Sequence, residues 1–81
     1  MVAAKKLLEL DYPANLVTEP VLSRLIKAYD ITVNIRGASI TREFGYVQIE
    51  VDGEEGEIKH ALDDLMRQGI SVNPINKDVI E

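Results

Sequence analysis

The sequence predicts an α+β domain with the element order β-α-β-β-α-β. The stretch from Asp30 to Gly53 holds two runs of alternating apolar and polar residues joined by a short polar turn. This pattern is typical of a half-buried antiparallel hairpin. One amphipathic helical pattern precedes the hairpin and another follows it. The length of 81 residues and the hydrophobic content of 46% fit one small globular domain.

The first strand is predicted over Lys6–Tyr12, where Leu8, Leu10 and Tyr12 share one face. Pro13 ends this strand, because proline supplies no amide to a sheet ladder. The chain therefore opens on a half-buried strand and turns at the proline.

The first helix follows a start signal at Thr18-Glu19-Pro20. Thr18 is predicted to cap the helix, and Glu19 suits the positive end of its dipole. Pro20 fits the first turn, where its missing amide is harmless. Apolar residues then recur with helical spacing at Val21, Leu22, Leu25, Ile26 and Tyr29. We expect the helix to end near Tyr29.

The two hairpin strands each have one apolar face. In the first strand this face consists of Ile31, Val33 and Ile35, and in the second of Val47, Ile49 and Val51. Asn34 and Arg36 lie on the opposite face of the first strand, and Gly37 is predicted to allow a bulge or bend. The hairpin thus buries one side only.

The second helix is predicted to begin within the acidic run Asp52–Glu57, as the helix dipole favours. Its apolar stripe consists of Ile58, Ala61, Leu62, Leu65 and Met66. Gly69 is predicted to end the helix in the left-handed conformation. The last strand is Ile70–Ile75, and Pro74 fits only an edge strand. In this single domain of residues 1–81, residues 76–81 are predicted to be a partly ordered tail or the start of a linker.

Right-handed crossovers convert this order into a four-stranded antiparallel sheet with both helices on one face, the ferredoxin-like arrangement. The first and third strands are then central, and the second and fourth are edges. The strand that carries Asn34 and Arg36 is therefore an edge strand. It presents unpaired backbone groups and a face that no helix covers.

Composition excludes several kinds of site. The chain has no cysteine, so it provides no disulfide, thiolate metal site or iron–sulfur ligand, and we expect no cofactor in it. Its single histidine, His60, cannot build a metal site alone. No apolar stretch approaches the roughly 20 residues of a membrane span, and no secretory signal is evident, which favours the cytoplasm. The net charge of −5 disfavours nucleic acid and anionic membranes as partners.

Four segments carry a resemblance to a known family: Glu19–Leu22, Val33–Arg36, Phe44–Val51 and Ala61–Val72. In this order and spacing, the chain resembles the NIL domain family over nearly its whole length. Asn34-Ile35-Arg36 stands where the family has Asn-Ile-Leu. The resemblance implies the ferredoxin-like fold.

Members of this family occur in two settings. One is the regulatory tail of the ATPase subunit of methionine importers, where paired domains bind methionine and inhibit transport. The other is a segment directly before two iron–sulfur cluster motifs, in proteins linked to sulfur amino-acid metabolism. The short turn between Asn34 and Gly45 and the final run Ile70–Glu81 are more similar to the second setting. That setting places possible 4Fe–4S clusters in a neighbouring domain.

The resemblance predicts a ligand-binding site at Asn34, Ile35, Arg36, Phe44 and Gly45. The Asn34 amide offers a donor and an acceptor, which suits a zwitterionic amino acid. The competing interpretation is a solvated polar residue on an edge strand. Arg36 replaces an apolar residue of the family. It could hold a carboxylate, although protection of a sheet edge from aggregation is the favoured interpretation.

Two functional hypotheses follow. The first is a non-catalytic sensing or regulatory domain that binds methionine or a related sulfur amino acid, forms a homodimer through the edge strand and works with a transporter ATPase module. The second is a docking domain for a ferredoxin module. RNA binding, which would need stacking aromatics on the two central strands, is rejected on the acidic charge of the chain alone. An acylphosphatase-like enzyme is rejected because residues 11–19 contain neither glycine nor arginine.

Overall fold

The computed structural model describes residues 2–75, which contain four strands and two α-helices in the predicted order. The strands are β1 (Ala3–Pro13), β2 (Ile31–Ile40), β3 (Phe44–Glu54) and β4 (Ser71–Pro74). The helices are α1 (Val21–Ala28) and α2 (Glu55–Arg67), and a short 3-10 turn spans Ala14–Leu16. The prediction of a tail or linker at residues 76–81 lies outside the described residues.

The strands form one antiparallel sheet in the order β2-β3-β1-β4. This order confirms the ferredoxin-like prediction, with β1 and β3 in the centre and β2 and β4 at the edges. Both helices pack on the same face, because alternate residues of the strands and the apolar stripes of α1 and α2 bury together in one cluster. The other face carries no helix. We call it the open face.

The core consists of residues from every strand except β4, from both helices, and of one residue between α2 and β4. Its members are Leu8, Leu10, Tyr12, Val21, Leu25, Ile31, Val47, Ile49, Val51, Ile58, Ala61, Leu65 and Ile70. Val47, Ile49 and Val51 of β3 are in it as predicted. The central strands therefore hold the fold together, as their place between two neighbours requires.

Pro74 occupies the kind of position predicted for it. The Ile75 amide donates to the Leu7 carbonyl over 2.9 Å, so the backbone groups of Ile75 and Asn73 face β1. Alternate residues of a strand point to opposite sides, so the nitrogen of Pro74 faces away from the sheet. Its missing amide hydrogen costs no hydrogen bond there.

A β-bulge divides β2 into two halves. Ile35 pairs with Ile49 of β3, and Gly37 pairs with the preceding residue, Gln48, which leaves Arg36 as the extra residue. The bulge confirms the prediction made for Gly37. It also shifts the alternation by one residue, so that Ala38 rather than Gly37 faces the helices.

The predicted start of α1 was wrong. Pro20 takes the cap position, no side chain caps the helix, and Val21 is the first helical residue. Thr18 therefore lies two residues before the cap, too far from the first-turn amides that a capping hydroxyl would accept. Glu19 lies outside the helix and accepts a hydrogen bond from Arg24 over 2.9 Å.

The burial expected of three apolar residues was also wrong. Ile26 of α1 and Met66 of α2 are exposed at the outer margins of their stripes. Ile35 of β2 is 62% exposed although it faces the helix side of the sheet. The reason is that α1 has only eight residues, so it covers the first half of β2 and not the second.

Candidate ligand-binding site

A groove of about 230 Å³ lies between the beginning of α1 and the uncovered half of β2. Its sheet side is formed by Tyr12, Ile35, Ala38, Ile40, Gly45 and Val47. Its helix side is formed by Val17, Pro20, Val21 and Leu22, with Glu19 and Ser23 at the mouth. We call this the β2 groove. It is concave and mainly apolar, as small-molecule sites commonly are.

The sheet side of the β2 groove consists of aliphatic residues left open to solvent. Ile35 is 62% exposed and Ile40 is 61% exposed. They lie on the same face of β2, on either side of the bulge. Exposed aliphatic residues that adjoin one another at a concave surface are more typical of a binding site than of an ordinary solvated surface.

Gly45 forms part of the groove floor. A Cβ atom at this position would lie 3.5 Å from the Tyr12 Cβ atom and 3.7 Å from the Val17 Cγ2 atom. These are ordinary van der Waals distances. A small side chain at Gly45 would therefore fill space in the groove without a clash.

An ion pair adjoins the groove, since Glu19 is one of the lining residues and Arg24, which is not, is paired with it. The Arg24 Nη2 atom lies 2.9 Å from the Glu19 Oε1 atom, in a pair that is exposed to solvent. An amino acid presents an ammonium group and a carboxylate on one carbon, and needs an acceptor for the first and a donor for the second. Glu19 and Arg24 supply one of each.

Asn34 and Arg36 lie on the open face, away from the groove. Asn34 stands opposite Glu50 of β3, and its side chain makes no hydrogen bond within residues 2–75. The Arg36 Nη1 atom lies 3.5 Å from the Glu50 Oε1 atom, and the Lys5 Nζ atom lies 3.5 Å from Oε2 of the same carboxylate. The open face beside Asn34 is thus polar, and the carboxylate of Glu50 on it is already paired with Lys5 and Arg36.

The five predicted site residues therefore separate into two groups. Ile35 and Gly45 line the β2 groove. Asn34, Arg36 and Phe44 are on the open face, the last at the beginning of β3 beside the hairpin turn. The structure does not bring the five together in one pocket, and a ligand contact at each of them stays a prediction.

Sequence reasoning missed the other residues of the groove. Ala38 and Ile40 continue the apolar face that Ile31, Val33 and Ile35 begin, with the spacing changed by one residue after Arg36. That change of spacing was a readable signal of the bulge and of the groove side. Tyr12 and Val17 carried no such signal, because only the tertiary fold brings them to β2.

Two tyrosines near the helices have raised pKa values. Burial raises the pKa of the Tyr12 phenol at the groove floor. The Tyr29 hydroxyl donates to the Asp64 Oδ2 atom over 3.0 Å. That hydrogen bond, then partial desolvation and the negative charge of Asp64, raise the pKa of Tyr29. This contact ties the end of α1 to α2, so it is structural.

Within residues 2–75, no cluster of three or more histidine, aspartate or glutamate side chains is arranged to hold a metal ion. In the same part of the chain, neither helix has the length and apolar character needed to cross a membrane.

Comparison with known sequences gives a consistent result. The sequence model of the NIL domain matches residues 6–74. The methionine import ATP-binding protein MetN 1 of Bacillus licheniformis is 35% identical over 75 residues, which cover 88% of this chain and 22% of that protein. MetN 2 of Acinetobacter baylyi is 34% identical over 65 residues, 75% of this chain and 19% of that protein. The chain thus spans about a fifth of the length of these relatives.

A solved structure has the same fold. The C-terminal domain of an ABC transporter ATP-binding protein from Enterococcus faecalis superposes with a TM-score of 0.78, at 22% sequence identity. The match covers 90% of this chain and 86% of that one. The fold, the match to the family over residues 6–74 and the two importer relatives agree, and the chain belongs to the NIL domain family.

Proposed function

We propose that this domain is a non-catalytic regulatory domain that binds methionine or a related sulfur amino acid in the β2 groove. The observation that carries the proposal is the groove itself, which joins an aliphatic floor to the carboxylate of Glu19, the partner of the Arg24 guanidinium. Its volume of about 230 Å³ is below the 300–1,000 Å³ usual for drug-sized ligands, which suits a single amino acid.

The ligand would lie with its thioether chain on Ile35, Ile40 and Gly45. A thioether is apolar and polarisable, and it packs well against aliphatic side chains. Its ammonium group would meet Glu19 and its carboxylate Arg24, which exchange their mutual ion pair for contacts with the zwitterion. Since that pair is exposed, opening it costs little.

A homodimer would complete this site. The outer edge of β2 has no strand beside it within residues 2–75, and Arg36 is the one charged residue of this strand. Two copies paired through β2 would cover Ile35 and Ile40 and close the groove from the side. Asn34 of each copy would lie near the shared seam on the open face, where it could contact a ligand bound across the edge.

The setting that we propose is that of the relatives. Both named relatives are ATP-binding proteins of methionine import, so the domain would act on a transporter ATPase module at the cytoplasmic side. The second hypothesis, a docking domain beside a 4Fe–4S ferredoxin module, stays a prediction. A run of spaced cysteines encoded after Glu81 in the reading frame would favour it.

Calorimetry with L-methionine and related sulfur amino acids tests the binding. We expect a heat of binding for at least one of them, with a dissociation constant in the low-millimolar range or tighter. We expect no heat for L-aspartate, whose charged side chain would be desolvated in the groove. An absence of heat for every sulfur amino acid would contradict the proposal.

Two exposed neighbours on β2 offer a matched pair of variants. Ala38→Phe should abolish the heat of binding, because the ring would occupy the groove that Ala38 lines. Ser39→Phe adds the same ring on the open face, opposite Tyr46, and should leave binding unchanged. A second pair, Asn34→Ala against Thr32→Ala, decides whether Asn34 belongs to the site. Unchanged affinity in Asn34→Ala would remove it.

A further inference from the structure

Tyr12 differs from the other two tyrosines of the chain in its hydrogen bonding. The Tyr29 hydroxyl donates to the Asp64 carboxylate over 3.0 Å, and the Tyr46 hydroxyl accepts from the Gln48 amide over 2.8 Å. The Tyr12 hydroxyl has no partner within the described part of the chain, although Tyr12 is only 9% exposed. Polar groups on side chains as buried as this one normally have a hydrogen-bond partner.

The Tyr12 hydroxyl keeps contact with water at the β2 groove. Within the described residues, no fully buried side-chain oxygen or nitrogen lacks a hydrogen-bond partner, so this unpaired hydroxyl is not fully buried. Tyr12 lines the groove next to Gly45, its partner across the sheet. Water that hydrates the hydroxyl there is displaced when a ligand fills the groove.

The other polar groups of the groove are less suited to donate a hydrogen bond to a ligand in its interior. The Glu19 carboxylate can only accept, and Ser23 is exposed, so its hydroxyl stays hydrated. The backbone amides of Val17, Glu19 and Val21 each donate to a nearby carbonyl. Burial raises the pKa of the Tyr12 phenol, so it keeps its proton at neutral pH. Among the side chains that line the groove, Tyr12 is thus the one mostly buried donor.

A ligand that displaces this water either replaces its hydrogen bond or leaves the hydroxyl without one. A site with a buried polar group discriminates against an analogue that leaves the group unpaired. A hydrocarbon side chain offers no acceptor, a thioether sulfur offers a weak one, and a sulfoxide oxygen offers a strong one. Affinity for the groove should therefore rise in that order.

We propose that Tyr12 determines which sulfur amino acid the β2 groove prefers, by donating a hydrogen bond to the heteroatom of the ligand side chain. The preferred ligand is then methionine sulfoxide, which carries an oxygen on its sulfur. The inference rests on the proposed amino-acid site and adds the residue that distinguishes between its ligands. A sulfoxide is chiral at sulfur, so its two epimers direct the oxygen differently. A hydroxyl held on a buried ring should bond well to only one of them.

Calorimetry with L-norleucine, L-methionine and the two separated epimers of L-methionine sulfoxide tests the inference. Norleucine has a methylene in place of the sulfur, so it measures the apolar contribution alone. We expect the better epimer to bind about tenfold more tightly than norleucine, with methionine between them, as one added hydrogen bond implies. Norleucine binding as tightly as the better epimer, or equal affinities of the two epimers, would overturn the inference.

A matched pair of tyrosine variants locates the contact. Tyr12→Phe removes the hydroxyl and keeps the ring, so the preference for the sulfoxide and the difference between its epimers should be lost. Its affinity for norleucine should be retained, which shows that the groove is intact. Tyr46→Phe removes a hydroxyl from the open face and should leave the order of the ligands unchanged. An order that survives in Tyr12→Phe would assign the discrimination to another group and overturn the inference.

The outcomes separate this inference from the proposed function on which it rests. If methionine and norleucine bind equally well, and Tyr12→Phe changes neither, the inference is wrong and the amino-acid site stands. If no sulfur amino acid gives a heat of binding, the site itself is wrong, and the role of Tyr12 with it. If Tyr12→Phe does not fold, the order of the ligands and of the epimers in the unaltered protein decides.

Discussion

The two ends of the sheet present free backbone in different chemical surroundings. The outer edge of β2 is uncharged except for Arg36 and exposes Ile35 and Ile40 on the helix side. The first part of β1, Ala3–Lys6, has β3 on one side and no strand of residues 2–75 on the other, and it carries two consecutive lysines, Lys5 and Lys6. Unpaired strand edges tend to associate, and charged side chains, lysine above all, restrain that tendency. Lysine side chains therefore restrain edge association at this part of β1, whereas β2 carries a single arginine.

We expect side chains, rather than the availability of backbone donors, to select a partner at either edge. Backbone groups would give affinity at both edges without distinguishing partners. Repulsion between like charges would supply the discrimination, because specificity is a difference between affinities. Truncating a core residue between the two edges should affect both of them, whereas a substitution at one edge should affect that edge alone.

The largest effect is expected from the core behind β2. Ile49→Ala should lower the free energy of unfolding by about 2–5 kcal/mol, because Ile49 has no exposed surface and its truncation leaves a cavity. Ile35→Ala makes the same change at the residue paired with Ile49 across the sheet, and should cost less than about 1 kcal/mol, since Ile35 is exposed. Urea denaturation measures both. Similar losses would show that Ile35 is buried in solution.

The next effect concerns the β2 edge. Ile40→Lys places on β2 the kind of charge that Lys5 and Lys6 give to the first part of β1. It should raise the dimer dissociation constant by about a hundredfold, because the lysine is present twice in a symmetric dimer and would be desolvated at the seam. Sedimentation equilibrium measures this constant. Thr32→Lys, on the open face, is the control and should raise it less. If the unaltered protein is a monomer at millimolar concentration, the proposed dimer is wrong.

A smaller effect is expected from the turn that positions β4. Gly69 has a φ of 101°, as predicted for the left-handed end of α2, and no atom lies within 4 Å of where its Cβ would be. Gly69→Ala should therefore cost about 1 kcal/mol through backbone strain alone. Gly37→Ala, at the bulge of β2, should cost less than about 0.5 kcal/mol, because Gly37 has no positive φ. Equal costs would contradict the assignment of strain to Gly69.

The smallest effect is a loss of stability at alkaline pH. Burial raises the pKa of Tyr12 above the value near 10 of an unfolded tyrosine, so the folded state keeps its proton when the unfolded state has lost it. Stability contributed in this way is present below pH 10 and is lost as the pH rises through the folded pKa. Denaturation at a series of pH values measures it. In Tyr12→Phe, the free energy of unfolding should fall less steeply as the pH rises. An unchanged slope would show that the decline comes from another group.

Much of the fold could be predicted because its signals are local. The alternation in the hairpin and the helical spacing in α1 and α2 each depend on a few neighbouring residues, and Pro74 indicated its edge position by itself. The start of α1 was wrong because Pro20 took the cap position, a choice between adjacent turn geometries that Thr18 and Glu19 do not determine. Propensity at a helix end is a weak guide when the preceding chain is itself a turn.

The candidate site could be predicted only in part, for a geometric reason. The family's motif places Asn34, Ile35 and Arg36 next to one another in sequence, but adjacent residues of a strand point to opposite faces. The motif therefore marks the edge strand and cannot mark one pocket. The β2 groove depends on the shortness of α1 and on the bulge, which bring Tyr12, Val17 and Ile40 together from three separate parts of the chain.

The outward-facing nitrogen of Pro74 has a consequence for assembly. A dimer joined through β2 would have an eight-stranded sheet, and each of its two outer ends would be a β4 strand carrying this proline. A further molecule that added a strand to β4 would find no amide donor at that position, so each addition beyond two copies would lose a hydrogen bond. One residue at the far side of the domain thereby favours a closed pair over an open-ended filament.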